Sequence, residues 1–293
     1  MKEITGAGVA LITPFKKDLS IDTVALKNLV ENQCSNGTDF LVVLGTTGES
    51  PVFSESETRL IIDTVKEANN NRLPLVLGIG GNNTEAVNHK FKAIDLSGFS
   101  AVLSVSPYYN KPNQEGIYRH YVSLADNSPL PIILYNVPGR TGSNITAATT
   151  LRLAEHQNIC AVKEASGNFA QCMEIIQNRP DGFLVISGDD AFTFPFISLG
   201  MDGVISVICN AFPKQFSQMV HAALTNNTVE ARKLHYLLLD SMNLIFEDGS
   251  PGGIKEIMQY MGICNAALRP PLYPVNEKVR EKLVYATDKV LGK

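Results

Sequence analysis

Eight short runs of apolar, β-favouring residues recur through the first two-thirds of the chain, at 8–13, 39–44, 75–79, 101–106, 131–135, 159–163, 183–187 and 203–207. They are nearly continuously apolar instead of alternating, as strands covered on both faces must be. Between them lie segments with helical spacing and helix-start signals. Asp22 precedes Val24, Leu26, Leu29 and Val30; Ser54 with Glu57 forms a capping box before Leu60, Ile61 and Val65; Asn144 to Thr146 precede Ala147, Leu151 and Leu153. Start-to-start distances of about 20 to 35 residues suit βα units. Eight such units favour an α/β fold of the closed (β/α)8 TIM-barrel kind over an open doubly wound sheet. Gly78, Gly80 and Gly81 lack the Gly-x-Gly-x-x-Gly spacing of a nucleotide-binding turn.

Beyond the eighth run the pattern is helical only. Phe216, Met219, Val220, Ala223 and Leu224 form one apolar face, and Leu234, Leu237, Leu238, Met242 and Ile245 another. Ser250-Pro251 reads as an N-cap and first helical position before Ile254, Ile257, Met258 and Met261; Asn276 reads as the cap of a last helix. The expected organisation is a catalytic barrel over residues 1–228 and a C-terminal helical extension over 229–293. No low-complexity linker separates them, so the extension is expected to pack on the barrel.

Charge and composition exclude several function classes. The net charge of −4, with both signs interspersed, gives no basic stripe for nucleic acid. No apolar run approaches the 18 or so residues of a membrane span. Charged Lys16, Lys17 and Asp18 interrupt the start before a secretory apolar core can form, so the expected address is cytoplasmic. The five cysteines are odd in number and scattered, without a Cys-x-x-Cys pair, which points to reduced thiols. The five histidines show no ligand spacing, so no metal site is expected.

Function in a barrel of this type sits where the strands end. The sixth run, Ile159-Cys160-Ala161-Val162-Lys163, ends in a lysine. An exposed lysine is almost wholly protonated at neutral pH, whereas a partly desolvated one is a nucleophile toward carbonyls. The plain alternative is an amine that snorkels to solvent; Cys160 beside it reads as a buried structural thiol. The second run ends in Gly45-Thr46-Thr47-Gly48-Glu49-Ser50, whose hydroxyls and free N–H groups suit a small carboxylate or, equally, a capping turn. The fourth ends in Ser106-Pro107-Tyr108-Tyr109-Asn110, more typical of packing or an interface. The fifth ends in Tyr135 with Arg140 five residues on, a proton carrier and a bidentate carboxylate clamp if both are functional. The seventh ends in Ser187-Gly188-Asp189-Asp190, read as a cap for the next helix, with Gly188 leaving room beside the lysine. Together these groups suit imine chemistry on a small keto acid, with the protonated imine as electron sink and no cofactor needed.

Three motifs in order, Gly45-Thr46-Thr47-Gly48-Glu49-Ser50, Tyr135-Asn136-Val137-Pro138-Gly139-Arg140-Thr141 and Val162-Lys163-Glu164-Ala165-Ser166-Gly167, resemble the dihydrodipicolinate synthase and N-acetylneuraminate lyase superfamily of pyruvate-dependent aldolases. The resemblance runs from Gly8 to the helical tail, and Arg140 resembles the dihydrodipicolinate synthase branch. It implies condensation of pyruvate with L-aspartate 4-semialdehyde to 4-hydroxy-tetrahydrodipicolinate, in lysine and diaminopimelate biosynthesis. It further implies Lys163 as the residue that forms the pyruvate imine and Tyr135 as proton donor and acceptor, joined through Thr46 to Tyr109 of a neighbouring subunit. Thr47 would bind the pyruvate carboxylate, Arg140 that of the aldehyde, and Gly188 and Ile205 would shape the pocket. A dimer is then the minimal active unit, commonly within a homotetramer. Ser50, Asn82 and Tyr108 match a lysine effector site, but Glu55, Thr58 and Ala86 stand where many sensitive members carry His, His and Glu, which implies weakened feedback inhibition.

Three rival functions follow from the same residues. A pyruvate aldolase cleaving a sugar acid would share Lys163 and Tyr135 but not the role of Arg140. A non-catalytic keto-acid sensor would keep the carboxylate pocket without needing the lysine, tyrosine and threonine together. A metal-dependent barrel enzyme would need clustered ligands.

Overall fold

The computed structural model describes residues 4–293; the first three residues of the expected barrel unit lie outside the described residues. Eight parallel strands close into a barrel in chain order: β1 (Gly6–Ala10), β2 (Phe40–Val43), β3 (Leu75–Gly78), β4 (Ala101–Val105), β5 (Ile132–Asn136), β6 (Ile159–Glu164), β7 (Leu184–Ser187) and β8 (Gly203–Ser206). Helices α1 (Thr23–Ser35), α2 (Glu55–Asn69), α3 (Thr84–Ala93), α4 (Gln114–Asn127), a single turn α5 (Pro138–Thr141), α6 (Ala147–Ala154), α7 (Phe169–Asn178), α8 (Thr193–Ser198) and α9 (Pro213–Leu224) alternate with them. Three further helices, α10 (Thr228–Leu244), α11 (Gly252–Tyr260) and α12 (Glu277–Leu291), follow. Leu238, Met242, Ile257 and Leu283 of α10 to α12 belong to the same apolar cluster as the outer faces of the strands.

The unbroken apolar character of the strands has a direct cause. One set of side chains, including Phe40, Val42, Val76, Leu103, Ile133, Ala161, Ile186 and Ile205, fills the barrel interior, while the alternate set, such as Leu41, Leu77, Leu134, Val162 and Val185, packs under the helices. Interior space is divided between large and small residues. A Cβ on Gly8 would lie 2.2 Å from the Phe40 ring, which occupies the space that Gly8 leaves.

Local signals explain most element boundaries. Ser54 and Glu57 make the reciprocal capping box of α2, Asp22 caps α1, Thr146 caps α6 and Asn276 caps α12. Three details differ from the reading of the sequence. The ladder strand β1 ends at Ala10 rather than Thr13, because the Asn210 side chain donates to the Ala10 carbonyl at 2.8 Å and accepts from the Ile12 N–H at 3.0 Å, replacing a neighbouring strand. Helix α11 begins at Gly252, not Pro251, and Ser250 supplies no cap hydrogen bond. Val24, Leu60 and Leu224 fit a helical spacing but are exposed; the buried stripes are Ala25, Leu26, Leu29 and Val30 on α1, Ile61, Ile62 and Val65 on α2, and Phe216, Met219, Val220 and Ala223 on α9.

The end of the barrel where the strands begin is fastened by Asp39. Its Oδ2 accepts the Ala7 N–H at 2.7 Å and pairs with His221 Nε2 on α9 at 2.7 Å. The hydrogen bond to Asp39 raises the His221 pKa above its ordinary value. A histidine raised on folding contributes stability that is fully present below its unfolded pKa of about 6.5 and is lost as pH rises through the folded value. His221→Ala is therefore expected to lower the unfolding free energy measured with denaturant at pH 6, by about 1 kcal/mol or less for so exposed a pair, and to have a smaller effect at pH 9. An equal loss at both pH values would contradict this role.

Candidate active site

The site grows from the pairing of β5 with β6. Tyr135 and Lys163 are direct register partners, and both lie on the interior face, in step with Ile133 and Ala161. Lys163 is 5% exposed, and its Nζ sits 4.4 Å from the centroid of the Tyr135 ring, a cation–π distance. Its stem passes over Gly188 at the end of β7. A Cβ on Gly188 would come within 2.9 Å of Lys163 Cε and 2.7 Å of Ala165 Cβ, so a side chain there would displace the lysine. Ile205 is buried in the interior on β8, opposite Gly8.

Above the strand ends opens a cleft of about 400 Å³ with a largely apolar wall. Tyr135, Thr46, Arg140, Ser50 and Tyr108 all line it, and the extension contributes Ser250, Pro271 and Leu272. Tyr135 thus belongs both to the cleft wall and to the pair with Lys163. Lys163, Thr47, Gly188 and Ile205 are not on this wall; Lys163 and Ile205 are buried, and so is Thr47 in the short turn Thr46–Gly48. Arg140 is exposed on the single-turn helix α5.

Two expected residues, Tyr109 and Asn82, stand apart. Tyr109 is 87% exposed with a left-handed backbone, φ 74°, and is not on the cleft wall. Among the described residues no hydrogen bond joins Tyr135, Thr46 and Tyr109 into a chain. Asn82 lines a separate cavity of about 170 Å³ with His120, and its amide donates to the Tyr108 carbonyl at 3.3 Å. Burial lowers the His120 pKa to about 4, so its ring is neutral at physiological pH.

Asp190 does not cap the helix after β7. Its carboxylate accepts the N–H groups of Val207 and Ile208, at 2.8 to 3.2 Å, so it ties the end of β7 to the turn that follows β8; Phe192 stands at the start of α8 without a side-chain cap. Burial pushes Asp190 up to about 6.

A buried ion pair holds the threonine turn from behind. Glu49, in the left-handed region at φ 59°, accepts from Lys255 Nζ at 2.5 Å and from the Arg269 N–H at 3.1 Å. Lys255, on α11, is 0% exposed, donates also to the Ala267 carbonyl at 2.9 Å and lies over the Phe15 ring at 4.2 Å. Burial draws the Lys255 pKa below its ordinary value, against the opposing pull of Glu49. Arg269 adds a partly buried pair with Glu57 on α2, which holds that carboxyl at about 2. The extension thereby fixes the segment that carries Thr46 and Thr47. The reading of the sequence missed this pair; a charged Lys255-Glu256 inside an apolar helical run was its one visible trace.

An eight-stranded parallel barrel with an open cleft at the strand ends and a buried lysine facing a tyrosine across adjacent strands has the build of a barrel enzyme. The model of the Dihydrodipicolinate synthetase family matches residues 3–289, and the chain belongs to that family. Relatives named 4-hydroxy-tetrahydrodipicolinate synthase include one from Flavobacterium psychrophilum, 54% identical over 97% of each chain, and one from Parabacteroides distasonis, 53% identical over 96% of each. Among solved structures, the chloride-inhibited dihydrodipicolinate synthase from Acinetobacter baumannii complexed with pyruvate is 37% identical, covers 98% of this chain and 99% of its own, and superposes with a TM-score of 0.95.

Removing one partner of a buried ion pair strands the other charge. Lys255→Met is expected to cost about 3–5 kcal/mol in denaturant unfolding, and the double change Glu49→Gln/Lys255→Met to recover much of that loss. A single variant as stable as the unaltered chain would contradict the tether.

Proposed function

We propose that the chain condenses pyruvate with L-aspartate 4-semialdehyde to 4-hydroxy-tetrahydrodipicolinate, a lyase step of lysine and diaminopimelate biosynthesis, through a covalent imine on Lys163. The observation that carries this reading is the buried Lys163 amine held against Tyr135 beneath an open cleft. Family membership and the pyruvate complex of the A. baumannii enzyme support it.

The chemistry follows from the groups in place. The Lys163 amine adds to the keto carbon of pyruvate, and loss of the carbonyl oxygen as water leaves an imine whose positive nitrogen is the electron sink. Removal of a methyl proton gives an enamine, which forms a carbon–carbon bond to the aldehyde carbon of the second substrate. The amine of that substrate then displaces the lysine, closing the ring and returning Lys163 to its starting form. The balance is one water released for each product formed, with no oxidant, cofactor or metal. Each proton step needs a carrier, a role that Tyr135 fills from beside the amine.

Thr47, buried in its turn, offers its N–H and hydroxyl to the pyruvate carboxylate, and Arg140 at the cleft wall takes the carboxylate of the aldehyde. Tyr109, exposed and off its own cleft wall, would serve a second copy through Thr46, with a dimer as the active unit and a homotetramer as the assembly. The five unpaired cysteines support a reducing, cytoplasmic location.

Steady-state turnover with aspartate semialdehyde, compared with N-acetylneuraminate and 2-keto-3-deoxygluconate, tests the reading. The semialdehyde should be the efficient substrate, and Arg140→Ala should raise its KM by about 10- to 100-fold while leaving that of pyruvate nearly unchanged. Faster turnover of a sugar acid would contradict it. Added lysine should inhibit only weakly in the same assay.

A further inference from the structure

Tyr135 and Lys163 each have a chain neighbour on the opposite, helix-facing side of the sheet: Asn136 and Glu164. These two are also direct register partners, and they are 0% and 1% exposed. Asn136 Nδ2 donates to Asn144 Oδ1 at 2.7 Å and lies 3.0 Å from each carboxylate oxygen of Glu164, which share its second hydrogen. Glu164 further accepts the Ser166 N–H and the Gln171 amide, each at 2.9 Å, while Asn136 Oδ1 accepts the Ile145 N–H at 2.9 Å. Every one of these partners is neutral, so the carboxylate is buried without a countercharge among the described residues.

Such burial is costly, and an apolar pair would join two strands at least as well. The polar pair does what an apolar contact cannot, since a two-oxygen grip fixes one strand against the other in both spacing and shear. The β5–β6 ladder carries a register irregularity between Ile132 and Ile133, at the start of the strands; from Ile133↔Ala161 to Asn136↔Glu164 the register is regular, and the clasp is its last pair.

We propose that Asn136 and Glu164 are positioning residues that clasp β5 to β6, one residue beyond each reacting group, and so set the Tyr135–Lys163 separation on which the proton transfers depend. The proposal rests on Lys163 and Tyr135 being the reacting pair. Both lie on the opposite face of the strands from the clasp. The other titratable group facing Glu164 is the Cys172 thiol of α7, held at about 12 by burial and secondarily by the Glu164 charge, and it stays neutral.

The test is the pH profile of kcat for Asn136→Asp, expressed as a ratio to the unaltered enzyme. The substitution sets two carboxylates against each other, so at pH 8 the clasp opens and kcat is expected to fall about 10- to 100-fold. As pH falls the pair takes up one shared proton, an O–H···O bond reforms, and the ratio should rise. The double change Asn136→Asp/Glu164→Gln reverses donor and acceptor, and should restore kcat with a flat ratio. A ratio for the single variant that does not change with pH, or a double variant no better than the single one, overturns the proposal. If Asn136→Asp shows no cooperative thermal transition, Glu164→Gln carries the test: kcat per folded molecule should fall about tenfold, and an unchanged kcat overturns the clasp. Borohydride trapping of pyruvate on the unaltered enzyme separates the two layers. An adduct on Lys163 together with a pH-independent ratio removes the clasp alone, whereas absence of that adduct removes the reading beneath it.

Discussion

The chemistry of this barrel hangs on the register of β5 against β6. With side chains alternating every residue, a slip of β6 by one position would turn Lys163 toward the helices and bring Glu164 into the barrel interior, and the same slip of β5 would exchange Tyr135 for Asn136. A buried amine would then meet apolar helix faces, and a carboxylate would sit where a keto acid must bind. The interior of a closed barrel leaves no room for such an error, because Phe40, Ile133, Ile186 and Ile205 already fill it up to the level of the lysine. The absence of a side chain at Gly188 then supplies the lateral space that the Lys163 stem uses.

Around that fixed pair, the rest of the chain works as a frame. The cleft is assembled from four loops that follow different strands, and loops are the mobile part of a barrel. Glu49 with Lys255 and Arg269 restrains the threonine turn among them, while Asp190 ties the ends of β7 and β8 beside the cleft. Both ties are buried; the first joins residues 206 apart in the chain, the second residues 17 and 18 apart. The C-terminal helices are thus more than a cover for apolar surface, since α11 reaches the turn that carries Thr46 and Thr47.

The fold was legible because its strands are buried on both sides, which makes them stand out as unbroken apolar runs even without alternation. Lys163 was legible for the same reason, as the one charge at the end of such a run. What stayed hidden depends on distance along the chain. Lys255 and Glu49 are 206 residues apart, and Asn136 and Glu164 are 28 apart. Nothing local marks either pair, and Asn136 and Glu164 read as ordinary members of their motifs until strand register places them face to face. Asp190 was misread for a related reason. Capping rules look only at the next helix, whereas the free N–H groups of Val207 and Ile208, from the neighbouring strand end, are what this carboxylate meets. The end of β1 was misjudged by three residues because a side chain, Asn210, takes the place of a strand there.

The most direct measurement is borohydride reduction in the presence of pyruvate, followed by peptide mass mapping. An enzyme that works through an amine buried at the end of β6 will carry one reduced pyruvate adduct, on Lys163, and Lys163→Ala will carry none while keeping a cooperative unfolding transition. An adduct on any other lysine, or turnover that persists in Lys163→Ala at the unaltered rate, would contradict it.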